Sequence, residues 1–292
     1  MQTHIAGRKY DSSLTIQGHT AQLTLEMNIQ FVAIDGNSSV PGRLRIIQTP
    51  EWTFEGITQN GELRDRHGVF PLCQWNHSSE FVPLQQKLLN AIETAWDNQY
   101  WLNPARGWYR NEALNYDEAL PVLCRVKVKD VSANPHFTAY CIKPDPSREH
   151  SANFRSYVSN RGHWGVFTIH DAQTLEFPFP SEGSTPTDDN KDGIYDRDVP
   201  FAYRQVTVAH EFSHMIGLHH VNGQGNESWR YGVNDSQRRQ ISGMGMEILP
   251  HHMRPWSNRL NQHIAPKRTR WEFSHHPQRY FWQRGHLRIW GA

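Results

Sequence analysis

His210, Glu211, His214, Gly217 and His220 fall in the order H-E-x-x-H-x-x-G-x-x-H. Imidazole nitrogens are strong ligands for a tetrahedral metal ion, and a carboxylate beside them can act as a base toward a water that such an ion activates. At i and i+4, His210 and His214 lie on one face of a helix, roughly 5–6 Å apart at Cβ, so two rings can grip one ion. Glu211 sits about 100° further round, where it reaches that water without displacing it. On an unbroken helix His220 would lie about 9 Å beyond His214 and off the metal-binding face. Gly217 supplies the break, because glycine adopts the positive φ of a helix C-terminus at little cost. H-E-x-x-H alone arises by chance in roughly a few per cent of chains of this length and composition. With the glycine and third histidine the figure falls to roughly a few in ten thousand.

Among 18 histidines a chance cluster is the bland alternative. His219 is the rival to His220, and Glu227 and Glu247 are rival third ligands. The spacing of Gly217 and His220 favours His220. The stretch resembles the zinc-binding motif of the metzincin metallopeptidases, whose second mark is a methionine-bearing tight turn downstream. Met244, in Ile241-Ser242-Gly243-Met244-Gly245-Met246, is the expected turn methionine, with Met246 the other candidate. The resemblance implies Zn2+ on His210, His214 and His220, Glu211 as general base, and endopeptidase action on a protein or peptide substrate. It also implies a substrate extended along an edge strand, for which Trp164 to Ile169 is the candidate. Some relatives use a tyrosine just after the methionine turn; Glu247 and Ile248 stand there, and nothing in the sequence places nearby Tyr231 in the site. In some metzincins a propeptide cysteine keeps the zinc latent, but the surroundings of Cys73 do not match that latency motif.

The elements that must position these residues are partly visible. Leu23, Leu25, Met27, Ile29 and Phe31 alternate with polar residues over 21–34, which predicts a half-buried strand. Leu84, Leu88, Ile92, Ala95, Trp96 and Tyr100 recur at helical spacing over 83–101, with Pro83 near the start. Strands are expected over 122–129, 137–142 and 164–169, a metal-binding helix over about 201–216, irregular chain over 221–240, and a closing helix over 250–264 carrying Met253, Trp256 and Leu260. Periodicity supports a sheet flanked by helices. The fold class expected is α+β (α/β-like): a metzincin-like domain with a mixed sheet and flanking helices above a cleft, and a smaller irregular lower subdomain. The divisions expected are a β-rich segment 1–79 whose strand 21–34 joins the sheet, an upper part 80–216, a lower part 217–265, and a basic aromatic tail 266–292.

Asp188, Asn190, Asp192 and Gly193 match the start of a calcium loop, with Asp196 a further candidate ligand for Ca2+. Val199 stands where an EF-hand places its glutamate, so the choice is between an isolated calcium loop and a solvated turn. Asp198 is an alternative cap for the following helix.

The formal net charge of +1 gives no global attraction to nucleic acid or membrane, and the mean hydropathy is −0.73 without any run long enough for a membrane span. Met1 to Ser13 lacks the apolar core of a secretory signal, so the expectation is a cytoplasmic protein, one exported without such a signal (a secreted effector or toxin among them), or a mature chain already freed of its signal. Cys73, Cys124 and Cys141 exclude a full disulfide framework; Cys124 and Cys141 could pair, but buried thiols are the default. A monomer is expected. The tail interleaves Lys267, Arg268, Arg270, Arg279, Arg284 and Arg288 with Trp271, Phe273, Tyr280, Phe281, Trp282 and Trp290. That pattern supports an alternative of another class, a zinc-stabilised, non-catalytic binding module that uses the tail on single-stranded nucleic acid or an acidic surface. A tail that folds back on the domain is the default, because so many aromatics seldom stay exposed.

Overall fold

The computed structural model describes residues 2–35, 47–49, 52–54, 62–65, 68–113, 115–145, 156–159, 161–177, 203–225, 228–264, 270–277, 280–283 and 286–289. Strands β1 (Gln2–Ile5), β2 (Asp11–Gln17) and β3 (Thr20–Ile34) are followed by β4 (Ile47–Thr49), β5 (Trp52–Phe54), β6 (Glu62–Asp65) and β7 (Gly68–Pro71). Helix α1 (Val82–Trp96) leads into β8 (Trp101–Pro104), β9 (Tyr109–Asn111), β10 (Tyr116–Glu118), β11 (Val122–Asp130) and β12 (Phe137–Ile142). Then come β13 (Tyr157–Ser159), β14 (Trp164–Phe167), β15 (Thr174–Phe177), β16 (Tyr203–Val206) and α2 (Thr207–Met215). The chain ends with α3 (Asp235–Arg238), α4 (Arg254–His263), β17 (Trp271–Ser274), β18 (Tyr280–Gln283) and β19 (His286–Ile289). The class is α+β with one mixed sheet ordered β13-β14-β12-β3-β11-β8-β17.

β3 is the axis of this sheet. Ala21, Leu23, Leu25, Met27 and Ile29 are buried at period two. One edge of β3 pairs in parallel with β11, from Val122↔Ala21 to Asp130↔Ile29. The other edge is shared: β2 takes Thr20 to Glu26 antiparallel, and β12 takes Ile29 to Ile34 in parallel. At the junction between them, the Asn28 N–H donates to His136 Nδ1 at 2.9 Å, and His136 Nε2 lies 3.3 Å from Asp11 Oδ1. A side chain thus satisfies a backbone group that neither strand reaches.

Helix α1 buries Leu84, Leu88, Leu89, Ile92 and Trp96. Its Glu93, and Asp97 just past its end, also cover ladder groups of β11 that β8 leaves unpaired, since β8 pairs only with Val122 and Leu123. Val126 N–H donates to Asp97 Oδ1 at 2.9 Å and Val128 N–H to Glu93 Oε1 at 3.0 Å. An edge capped this way cannot template another strand. Trp96, fully buried, joins the layers. Its Nε1 donates to the Ala209 carbonyl of α2 at 2.8 Å, and its ring stacks on Trp256 of α4 at 6.2 Å. Met253, Trp256 and Leu260 are all buried, as the periodicity of the closing segment predicts.

Several boundaries differ from the sequence reading. The first helix stops at Trp96, and Trp101 begins β8, because Asp97 turns extended and its carboxylate binds Arg125 of β11 at 2.7 Å. The segment before the histidine motif is not all helix. Tyr203–Val206 is a strand paired antiparallel with β15, and α2 begins at Thr207. The irregular stretch 221–240 contains a 3-10 turn, Ser228–Tyr231, and the single-turn α3. Trp164 to Ile169 is not an edge. β14 lies between β12 and β13, and among the described residues β13 is the outer strand, antiparallel to β14 and packed beside α2. The main sheet also takes β1 to β3 from the segment before residue 80, and β17 from the tail. Cys124 and Cys141 are buried free thiols, and Cys73 is free and half-buried.

Candidate metal centre

The histidine motif forms because α2 ends abruptly. Gly217, at φ +96°, follows the C-cap Ile216; its N–H donates to the His214 carbonyl at 3.0 Å, and Leu218 N–H donates to the Ser213 carbonyl at 2.9 Å. This pair of bonds is the Schellman arrangement, which reverses the chain while satisfying the last helical carbonyls. The reversal carries His220 back against the helix. His210, His214 and His220 bring one nitrogen each within 4.8 Å of one another, the first two buried and the third half-buried. Among the described residues this is the group that could hold a metal ion, and it contains neither a cysteine nor Glu247. Glu247 is exposed, and so is His219, whose ring meets Gln224. Glu227 and the expected calcium ligands Asp188, Asn190, Asp192 and Asp196 lie outside the described residues.

The tautomers follow from the partners. His210 Nδ1 faces the Ile241 carbonyl at 2.6 Å, His214 Nδ1 the Leu218 carbonyl at 3.0 Å, and His220 Nδ1 the Gly225 carbonyl at 2.6 Å. A carbonyl only accepts, so each Nδ1 carries the proton and each Nε2 offers a lone pair. His214 Nε2 and His220 Nε2 then stand 3.0 Å apart with lone pairs opposed. Two bare acceptors at that distance repel unless a cation lies between them. Zinc ligands at about 2.0–2.1 Å in a tetrahedron stand about 3.3 Å from one another, close to this spacing. The donor set therefore fits a borderline metal ion.

Electrostatics keeps the imidazoles neutral. Burial, reinforced by the neighbouring histidines, lowers His210 and His214 to about 3 and His220 to about 4. Glu211 is buried on the same helix, and burial together with the Asp171 charge pushes its carboxyl well above the usual range. Burial also raises Asp171, to about 6, against hydrogen bonds donated by Ser156 and by the Thr168 N–H. Its backbone carbonyl accepts from Val208 N–H at 3.0 Å, which ties the first turn of α2 to the segment after β14.

The Ile241–Met246 segment forms a tight turn beside this helix. Met244 N–H donates to the Arg238 carbonyl at 2.8 Å, and Ile241 N–H to the Glu247 carbonyl at 2.8 Å. A Cβ on Gly245 would stand 2.0 Å from the Arg239 carbonyl oxygen, so only glycine fits. Met246 Sδ accepts from Val206 N–H at 3.2 Å, just before α2, whereas Met244 is half-buried at the turn. The turn's clearest tie to the site is the Ile241 carbonyl that fixes His210. Buried Gln205 of β16 secures the turn, donating to the Gly243 and Gly245 carbonyls at 3.0 and 3.2 Å.

Two residues were out of reach of the sequence. Gln205 carries no motif. Tyr231 is placed in the site after all, its ring 4.0 Å from that of His220 and 5.9 Å from that of His210. A buried Ser242–His252 pair nearby, 2.8 Å apart, imitates a nucleophile and base. Leu249 N–H donates to His252 Nδ1, so Nε2 carries the proton and donates to Ser242, the wrong polarity to activate a hydroxyl.

No known protein family, curated protein or solved structure matches this chain. Among the described residues no helix is long and apolar enough to cross a membrane.

Proposed function

We propose that this protein is a zinc-dependent endopeptidase of metzincin type. The observation that carries the reading is the convergence of three unprotonated Nε2 atoms, each oriented by a backbone carbonyl, beside a buried glutamate on the same helix. His210, His214 and His220 would hold the ion and leave a fourth position open. When bound, zinc supplies Lewis acidity, lowers the pKa of a water toward neutrality and favours the ionised form of a nearby carboxylate. Glu211 would accept the proton of the attacking water and pass it to the leaving amine. Ile241, Leu218 and Gly225 hold the imidazole tautomers throughout. The outer edge of β13, beside α2, is the place for an extended substrate held by backbone hydrogen bonds.

The alternative, a zinc-stabilised binding module acting through the tail, finds less support. Trp271, one of the aromatics it needs, is buried in β17 and donates to Asn261 at 3.0 Å. The deciding experiment is cleavage of a diverse peptide library by zinc-loaded protein, with Glu211→Ala as the blank and zinc content measured on both. The expected result is equal zinc and a loss of cleavage of about 10²–10⁴-fold in the variant. Undiminished cleavage by Glu211→Ala would remove the glutamate's role; salt-dependent nucleic-acid binding without cleavage would favour the alternative.

A further inference from the structure

His220 is held by other means than its two companions. His210 and His214 ride on a helix buried from Val208 to Met215. His220 lies in irregular chain, half-buried, and its Nδ1–H bond to Gly225 fixes the tautomer. A single hydrogen bond leaves the ring free to tilt about its own axis, and that tilt decides where Nε2 points.

The face of the ring is covered. The Tyr231 ring centroid is 4.0 Å from that of His220, with the planes inclined at 37°. This is closer than the 4.5–7 Å usual for aromatic pairs. Tyr231 is also inclined at only 21° to His210, and His210 and His220 lie 19° from parallel at 5.4 Å. The backbone that carries Tyr231 is tied to the segment that carries His220. Asn222 N–H donates to the Arg230 carbonyl at 3.1 Å, Asn222 Nδ2 to the Trp229 carbonyl at 2.7 Å, and Arg230 Nη1 to the Asn222 carbonyl at 2.9 Å. Tyrosine and histidine are thus parts of one clasp.

We infer that Tyr231 is the positioning residue of the third donor: its ring sets the plane of His220, so that Nε2 faces those of His210 and His214. The inference rests on the metal-centre reading above. The work is done by the ring face, so phenylalanine preserves it and an aliphatic side chain of similar volume does not. Loss of the ring leaves two well-placed donors and one that wanders.

The test uses the full chain carrying Tyr231→Phe, Tyr231→Leu or Tyr231→Ala. Zinc affinity is read by competition with a chromophoric chelator, coordination by the visible absorption of the Co2+-loaded protein, and folding by circular dichroism of the metal-free protein. Tyr231→Phe is expected to match the parent in all three. Tyr231→Leu and Tyr231→Ala are expected to bind zinc about 10–100-fold more weakly, the scale for partners that orient a ligand, and to show altered Co2+ bands while still folded. Should the alanine variant not fold, the leucine variant decides. Leucine binding within about twofold of the parent with unchanged Co2+ bands would overturn the inference, as would a phenylalanine variant as weak as leucine. A parent protein that binds no zinc would instead remove the metal-centre reading beneath it.

Discussion

The two halves of the candidate metal centre are built differently. The helix-borne half, His210 and His214, stands on a layered core in which Trp96 touches Phe212 at 5.8 Å and bonds the Ala209 carbonyl. The loop-borne half, from Gly217 to Ile248, has little regular structure among its described residues and is held by hydrogen bonds between carbonyls, amides and a few side chains such as Asn222, Gln205 and Gln237. A packed core responds to lost volume, and a hydrogen-bonded loop responds to lost geometry. Stability should therefore reside mostly in the first half, and the accuracy of the third donor in the second.

The largest effect should come from the core. Trp96→Ala is expected to cost about 3–5 kcal/mol in urea unfolding, through a cavity and the lost bond to Ala209. A cost below about 1 kcal/mol would mean that α2 does not depend on this layer.

Acid should act next, at the boundary between the halves. His252 packs edge-on against Trp96 at 6.3 Å, and burial holds it to about 3 against an ordinary 6.5. The unfolded chain therefore binds the proton first. Stability that is full above pH 6.5 is lost as pH falls toward 3, by about 2 kcal/mol at pH 5 from this residue alone. Unfolding of His252→Leu should be less steep in pH than that of the parent over this window; equal slopes would show that His252 is not held neutral.

Smaller still is Gly217→Ala. The φ of +96° strains any side chain there, and its Cβ would come within 2.9 Å of Lys9 Nζ. About 1–2 kcal/mol of stability should go, with zinc affinity reduced further than that loss of fold explains. An unchanged affinity would separate the helix stop from the placing of His220. Asn222→Ala should be the mildest to the fold, below about 1 kcal/mol, yet it should speed zinc release measured by chelator chase. If it slows unfolding or leaves release unchanged, the loop is not the clasp described.

The same division explains what the sequence disclosed. Leu23 to Ile29 and Leu84 to Trp96 report their period because a sheet face and a helix stripe bury every second or every third-to-fourth side chain. Gly217 and His220 report their purpose because the reversal is local. The carbonyls of Ile241, Leu218 and Gly225 cannot be read, since any residue has a carbonyl. Tyr231 could not be placed, because its position depends on bonds between Asn222 and Arg230 that no propensity encodes. The strand at Tyr203–Val206 is not legible locally, because its pairing partner β15 lies far back in the chain. β13 carries no legible period, because three residues are too few for a pattern.

The shared edge of β3 has a consequence for synthesis on the ribosome. Its hairpin with β2 can close within microseconds once both have emerged. Its other edge must wait for β11, since Ala21 pairs with Val122, roughly a hundred residues later and on the order of 5–20 s of elongation. Through that interval the nascent chain presents a long strand bearing Leu23, Leu25, Met27 and Ile29, with one row of amides and carbonyls unmet. Chains released before β11 and β12 are made would carry that strand paired with β2 on one edge only, the rest open to one another and to chaperones. The centre of the finished sheet is thus the most vulnerable element of the growing one.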